Sequence, residues 1–113
     1  MTIQTDAYTV TANEENATVT LNGTLRLQGR EQYKPIFDLL MESASWREGK
    51  LTIDMRELIF LNSSGISALS LFVIEMRKIG KHIEVIGSDS ITWQSRSLKN
   101  FQRLYEKVEI TIV

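Results

Sequence analysis

Residues 51–69, LTIDMRELIFLNSSGISAL, decide the architecture of this chain. Lys50 to Met55 reads as a short buried strand, and an apolar connection leads from it into a helix over Ser63–Ile79 that ends at Gly80. Ser63 therefore stands at a helix start, where roughly four backbone N–H groups lack intrahelical partners and the peptide dipoles present their positive end. An anion is stabilised in such a place before any side chain contributes. A phosphorylated serine suits it.

Outward from this segment the apolar period changes in a regular way. Tyr8–Thr11 and Ala17–Leu21 alternate, are rich in Thr and Val, and flank the polar run Asn13-Glu14-Glu15-Asn16, which predicts an antiparallel hairpin. From about Gln32 to Trp46 the spacing is helical, with Tyr33, Ile36, Phe37, Leu40, Met41 and Ala44 recurring every three or four residues. Pro35 is tolerated in a first turn, so this helix is expected to begin just before it. Beyond Gly80 follow a strand over His82–Ile86, a helix over Trp93–Tyr105 and a strand over Val108–Val113. The order ββαβαβαβ requires crossover connections, which place helices on a sheet face. The expected fold is a single α/β domain spanning 1–113, with a mixed sheet, an antiparallel N-terminal hairpin and strand-to-helix junctions gathered at one sheet edge.

Composition narrows the function. A chain of 113 residues can bury one core and is too short for two ordinary domains. Hydrophobic residues at 42% and charged residues at 24% are the balance of a globular protein. Thirteen Lys and Arg against 14 Asp and Glu give a net charge of −1, which lacks the cationic excess that direct nucleic-acid binding needs. The absence of cysteine excludes disulfides and thiolate metal sites and fits a reducing compartment. No basic start precedes an apolar run, and no window is long enough for a membrane span, so a cytoplasmic location is expected.

Placing residues 63–79 at about 100° intervals gathers Ile66, Ala68, Leu69, Phe72, Val73, Met76 and Ile79 on one arc, the expected core face. The opposite side carries Leu71 and Ile74 among Ser67, Ser70, Glu75, Arg77 and Lys78. Ser63 falls on that side, aligned with Ser67, Ser70 and Ile74 at spacings of four, seven and eleven. Single exposed aliphatics are ordinary on a monomer surface. A stripe of small hydroxyls and aliphatics aligned with Ser63 and bordered by charge instead resembles a protein-binding surface.

The stretch Asp54-Met55-Arg56 followed by Asn62-Ser63-Ser64-Gly65-Ile66, with eight positions from Asp54 to Asn62, resembles the signature of STAS domains, and especially of bacterial anti-sigma factor antagonists. In that family a strand ends in Asp, an apolar segment follows, and Asp-Ser-Ser-Gly or Asp-Ser-Thr-Gly opens the next helix. The order of elements agrees along nearly the whole chain, from the N-terminal hairpin to the SLKNFQRLYEKVEI ending. The resemblance implies a non-enzymatic partner switch. The unmodified domain binds an anti-sigma factor that is also a serine kinase, the kinase phosphorylates Ser63, and a serine phosphatase restores it. The implied partner surface comprises Asn62, Ser64, Gly65, Ser67, Ser70, Leu71, Ile74 and Lys78, with oligomerisation through the same aliphatics as a further possibility. A phosphate adds about −1.5 to −2 charge, enough to oppose desolvation of that surface while the helix N-terminus limits the cost to the fold.

Asn62 departs from the family pattern, which has Asp there. It keeps a capping side chain and removes a charge. Either the switch operates with a differently tuned kinase or phosphatase, or the serine is no longer modified; retention of the cap and the hydroxyl favours the first. The segment RLQGREQY after Leu25 also departs from the pattern. Two alternatives stand beside the antagonist reading: an interaction module of another signalling assembly, and a small-molecule or nucleotide sensor using the helix start as an anion site. Catalysis is not expected, because no acid, base and nucleophile converge and Ser64 lacks the Gly-x-Ser-x-Gly context. His82, the single histidine, reads as a rim residue rather than a metal ligand, and no cofactor loop is present. Arg96, Lys99, Arg103 and Lys107 form a basic stripe, read as a solvated face, and Trp93 as an anchor against the sheet.

Overall fold

The computed structural model describes residues 1–113. In chain order the elements are β1 (Thr2–Gln4), β2 (Tyr8–Asn13), β3 (Thr18–Leu25), α1 (Gly29–Ala44), β4 (Leu51–Leu61), α2 (Ser63–Ile79), β5 (Ile83–Gly87), α3 (Thr92–Ser97), α4 (Lys99–Leu104) and β6 (Val108–Ile112). The expected mixed sheet with its N-terminal hairpin is present, extended by the short edge strand β1. The six strands lie in sequence order, antiparallel from β1 to β3 and parallel from β3 to β6. Each parallel step moves to the next strand in the same direction, so right-handed crossovers put every helix on one face. Burial follows. Val10, Val19, Leu21, Leu51, Ile53 and Val85 pack beneath the helices, while Thr9, Thr11, Thr18, Thr20 and Thr52 alternate with them on the uncovered face.

Several boundaries differ from the sequence reading for identifiable reasons. Helix α1 begins at Gly29, not just before Pro35; Pro35 lies in the second turn on an exposed position, where it removes one hydrogen bond, to the carbonyl of exposed Glu31. The expected helix over Trp93–Tyr105 is two short helices meeting at Leu98, which is fully buried. Ile79, expected in the core, is 67% exposed, because Gly80 turns the chain into the left-handed region at φ 68° and ends the helix past the edge of the sheet.

The largest difference concerns β4, which continues past Met55 to Leu61. It pairs with β5 only over Leu51–Asp54, so Met55–Leu61 run on beyond the shorter neighbour. Against β3 it carries two bulges, one around Met55–Glu57 and one around Leu58–Phe60. Each inserts one residue and sends two consecutive side chains outward, Arg56 with Glu57 and Ile59 with Phe60. Asp54 steadies the first bulge: its Oδ1 accepts from the Arg56 backbone N–H at 3.1 Å, and its carboxylate pairs with the Arg56 guanidinium at 2.8 Å. The second is held from α3. Gln94, fully buried, donates Nε2 to the carbonyls of Met55 and Leu58 at 2.6 and 2.9 Å, and its Oε1 accepts from Ser88 N–H at 2.7 Å. Trp93 Nε1 donates to the Ile59 carbonyl at 2.9 Å, which is the anchoring expected of it in a more specific form. Two side chains thus replace the missing length of β5. Gly87 makes this possible, since a Cβ there would lie 2.8 Å from Gln94 Oε1 and 2.7 Å from a Leu98 methyl.

Candidate functional site

Strands β3 and β4 are parallel, so α1 and α2 both start at the C-terminal edge of the sheet, side by side. Between β4 and α2 stands a single residue, Asn62, in extended conformation. Its side chain uses both ends. Oδ1 accepts from Gly65 N–H at 2.9 Å and from the Tyr33 hydroxyl at 2.6 Å, while Nδ2 donates to the Leu27 carbonyl at 2.7 Å. Burial pushes the Tyr33 hydroxyl above its ordinary pKa, which keeps it a donor. The amide is what Leu27 selects: a carboxylate would set a second oxygen against that carbonyl. Asn62 therefore caps α2 and ties it to α1 and to the 26–28 connection, which gives it an architectural role.

Gly65 has a packing role as well. It is buried, and a Cβ there would overlap Leu61 Cδ1 and lie 2.7 Å from the Tyr33 oxygen. Only glycine lets α2 approach β4 and α1 this closely.

Ser63 is the first residue of α2 and is exposed. Neither the cap nor the first turn engages its hydroxyl, because Asn62 supplies the capping acceptor. No acidic side chain lies in that turn. Ser64 faces α1, where its Oγ accepts from Gly29 N–H at 3.3 Å. Ser64, Ser67, Ala68 and Leu71 line a groove of about 580 Å³ between α2 and α1, closed on the other side by Arg30, Tyr33, Lys34 and Phe37.

The outward stripe read from the sequence therefore divides. Ser64, Ser67 and Leu71 belong to the α1–α2 groove. Leu71 and Ile74 are half-buried rather than exposed, and Ser70 turns its hydroxyl back onto the Ile66 carbonyl at 2.8 Å. Lys78 is exposed and paired with Glu75. Fifteen residues separate it from Ser63, a rise of about 22 Å along the axis, so one small contact does not include both.

Sequence reasoning missed Ile59, Phe60 and Arg26 at this edge. Ile59 and Phe60 are 57% and 38% exposed, and the Arg26 guanidinium lies 4.8 Å from the centroid of the Phe60 ring. The available signal was the run Leu58-Ile59-Phe60-Leu61, whose four adjacent apolar residues cannot all face inward from one strand.

His82 is exposed at the rim, as expected, and so are Arg96, Lys99, Arg103 and Lys107. No helix is long and apolar enough to cross a membrane.

No known family model matches the chain, and no curated protein matches it in sequence. Among solved structures the fold is shared with a chain in the crystal structure of the diguanylate cyclase SiaD in complex with its activator SiaC from Pseudomonas aeruginosa. That match has a TM-score of 0.74 at 13% identity, covering 100% of this chain and 99% of that one. SiaC of Pseudomonas aeruginosa alone matches with a TM-score of 0.71 at 13% identity over 100% and 94% of the two chains. Its apo crystal structure matches with a TM-score of 0.71 at 12% identity over 99% and 98%.

Proposed function

We propose that this chain is a non-enzymatic, phosphorylation-controlled interaction module of a signalling assembly, in which unmodified Ser63 permits docking of a protein partner and phosphoserine at 63 abolishes it. The observation that carries this reading is the placement of Ser63: exposed, first in a 17-residue helix, with its hydroxyl uncommitted because Asn62 does the capping. A kinase can reach that oxygen without opening the fold. The helix N-terminus then tolerates the added charge while an adjoining surface loses affinity. A serine phosphatase completes the cycle.

The resemblance to anti-sigma factor antagonists points to an anti-sigma factor with serine-kinase activity as partner. The solved structures that share the fold support a different partner class, since SiaC is the activator of a diguanylate cyclase and is found in complex with it. A signalling enzyme is therefore the favoured partner, within the wider class of modules that switch between proteins. The α1–α2 groove favours a second reading as a small-molecule sensor, because about 580 Å³ falls within the usual range of ligand sites.

Capture experiments with the wild type, Ser63→Ala and Ser63→Asp, joined to mass spectrometry of the protein from its native cells, test the switch. Retained binding for Ala, weakened binding for Asp and a phosphate mapped to Ser63 are expected. Equal capture of all three refutes control at this serine, and stoichiometric nucleotide binding by the isolated chain supports the sensor instead.

A further inference from the structure

The fold leaves few large hydrophobic side chains in solvent. Met1 and Val113 stand at the two ends of the sequence, and Ile79 is alone at the far end of α2. Only Ile59 and Phe60 are neighbours. They do not face outward by default: a β-bulge reverses the alternation there, and Trp93 and Gln94 bond the Ile59 and Leu58 carbonyls to hold it. Arg26 extends the patch. Its guanidinium covers one face of the Phe60 ring, and none of the four ion pairs of the chain includes it. Such stacking is favourable and leaves the five N–H donors free for a carboxylate.

We infer that Ile59, Phe60 and Arg26 form the contact surface for an acidic, apolar protein segment, in which a Leu, Ile or Phe side chain packs on Ile59 and Phe60 while a neighbouring Asp or Glu pairs with Arg26. The charge complementarity decides the occupant. An aromatic platform carrying an unpaired cation rejects a basic segment and gives a purely apolar one no partner for the guanidinium. Position joins the patch to regulation, and here the inference rests on the switch reading. Phe60 and Ser63 are three residues apart, so their Cα atoms lie at most ~11 Å from each other. At that outer bound the ~8 Å screening length at physiological ionic strength weakens the coupling, so it acts through charges that approach closer than the Cα atoms and should strengthen as salt is lowered. A phosphate on Ser63 repels the acidic residue of the segment and competes with it for Arg26.

The test pans a phage-displayed random dodecapeptide library against the immobilised full chain and measures the selected peptide by fluorescence anisotropy. Enriched peptides are expected to join Asp or Glu to Leu, Ile or Phe within a few residues. Binding should fall about tenfold or more for Phe60→Ser and for Arg26→Glu, the loss typical of a central contact. Replacing the peptide acid by Lys should restore affinity for Arg26→Glu, a rescue that a merely structural role of Arg26 does not give. Ile79→Ser, an equally exposed site elsewhere, should leave binding unchanged. Absence of enrichment, enriched peptides without an acid, or equal binding to Arg26→Glu overturns the inference. So does a concentration-dependent dimer that Phe60→Ser abolishes, because the patch then serves a second copy of the chain. A peptide that needs Arg26 but ignores phosphoserine at 63 keeps the surface and overturns its link to Ser63. A phosphate-sensitive peptide indifferent to Arg26 does the reverse.

Discussion

Replacing Gln94 by methionine keeps the volume of the side chain and removes its hydrogen bonds. Gln94 is wholly enclosed and serves three backbone groups, the carbonyls of Met55 and Leu58 and the N–H of Ser88. Each group left unsatisfied in the interior costs about 1–3 kcal/mol, with carbonyls toward the lower end. Three such losses sum to roughly 4–5 kcal/mol, from which transfer of the more apolar methionine into the core recovers about 1–2 kcal/mol. The net expectation is a loss of about 3 kcal/mol, a large share of the ~5–15 kcal/mol that holds a domain of this size together. In urea denaturation at pH 7 the midpoint should fall accordingly, and the melting temperature should drop by roughly 10–15 °C. Gln102→Met, on an exposed position of α4, should stay within about 0.5 kcal/mol of wild type. A loss under about 1 kcal/mol for Gln94→Met would refute the argument that α3 substitutes for the missing part of β5.

Asn62→Asp restores the residue usual in the resembling family, yet it should destabilise by about 1 kcal/mol in urea denaturation. The lost bond to the Leu27 carbonyl and the facing oxygens outweigh the helix-dipole gain of ~0.3–1 kcal/mol, and a stabilised variant would contradict this. Gly65→Ala should lower stability by about 1–2 kcal/mol in a thermal melt, although Gly to Ala inside a helix ordinarily gains up to ~1 kcal/mol; a gain would show that Leu61 and Tyr33 yield freely. Asp54 contributes to the acid dependence. The Arg56 guanidinium holds its carboxyl below the usual range, so the pair stabilises the fold above the unfolded value of about 3.9, and that contribution is lost as pH falls through the lower folded value. Urea midpoints should therefore decline more steeply below about pH 4 in wild type than in Asp54→Asn, and parallel curves would sink the assignment.

Much of the fold was legible because it rests on local pattern. Asn62 and Gly80 bound α2 at the residues the sequence predicts, since a cap and a left-handed stop are each written in a single residue. The hairpin followed from Thr and Val alternation around a polar turn. What stayed hidden depends on distant chain. A bulge is a mismatch between two strands, so the apolar run Leu58–Leu61 signals that some of its side chains face outward but not that the adjacent pair Ile59 and Phe60 both do. Gln94 looks like any surface glutamine until the carbonyls it serves, 36 and 39 residues earlier, are placed beside it. The exposure of Ser63 was legible from its place at the helix start, whereas the surroundings of α2 were less so, because a helical wheel cannot tell a groove against α1 from open solvent.

The unequal lengths of β4 and β5 have a consequence for the fate of partly unfolded chains. If α3 detaches, the segment Met55-Arg56-Glu57-Leu58-Ile59-Phe60-Leu61 presents one bare row of peptide groups, and its last four side chains are uncharged and free of proline. That is the composition from which cross-β assemblies nucleate. Six residues of helix thus act as a safety catch, and variants that loosen Trp93 or Gln94 should form fibrils sooner than equally unstable variants of α1.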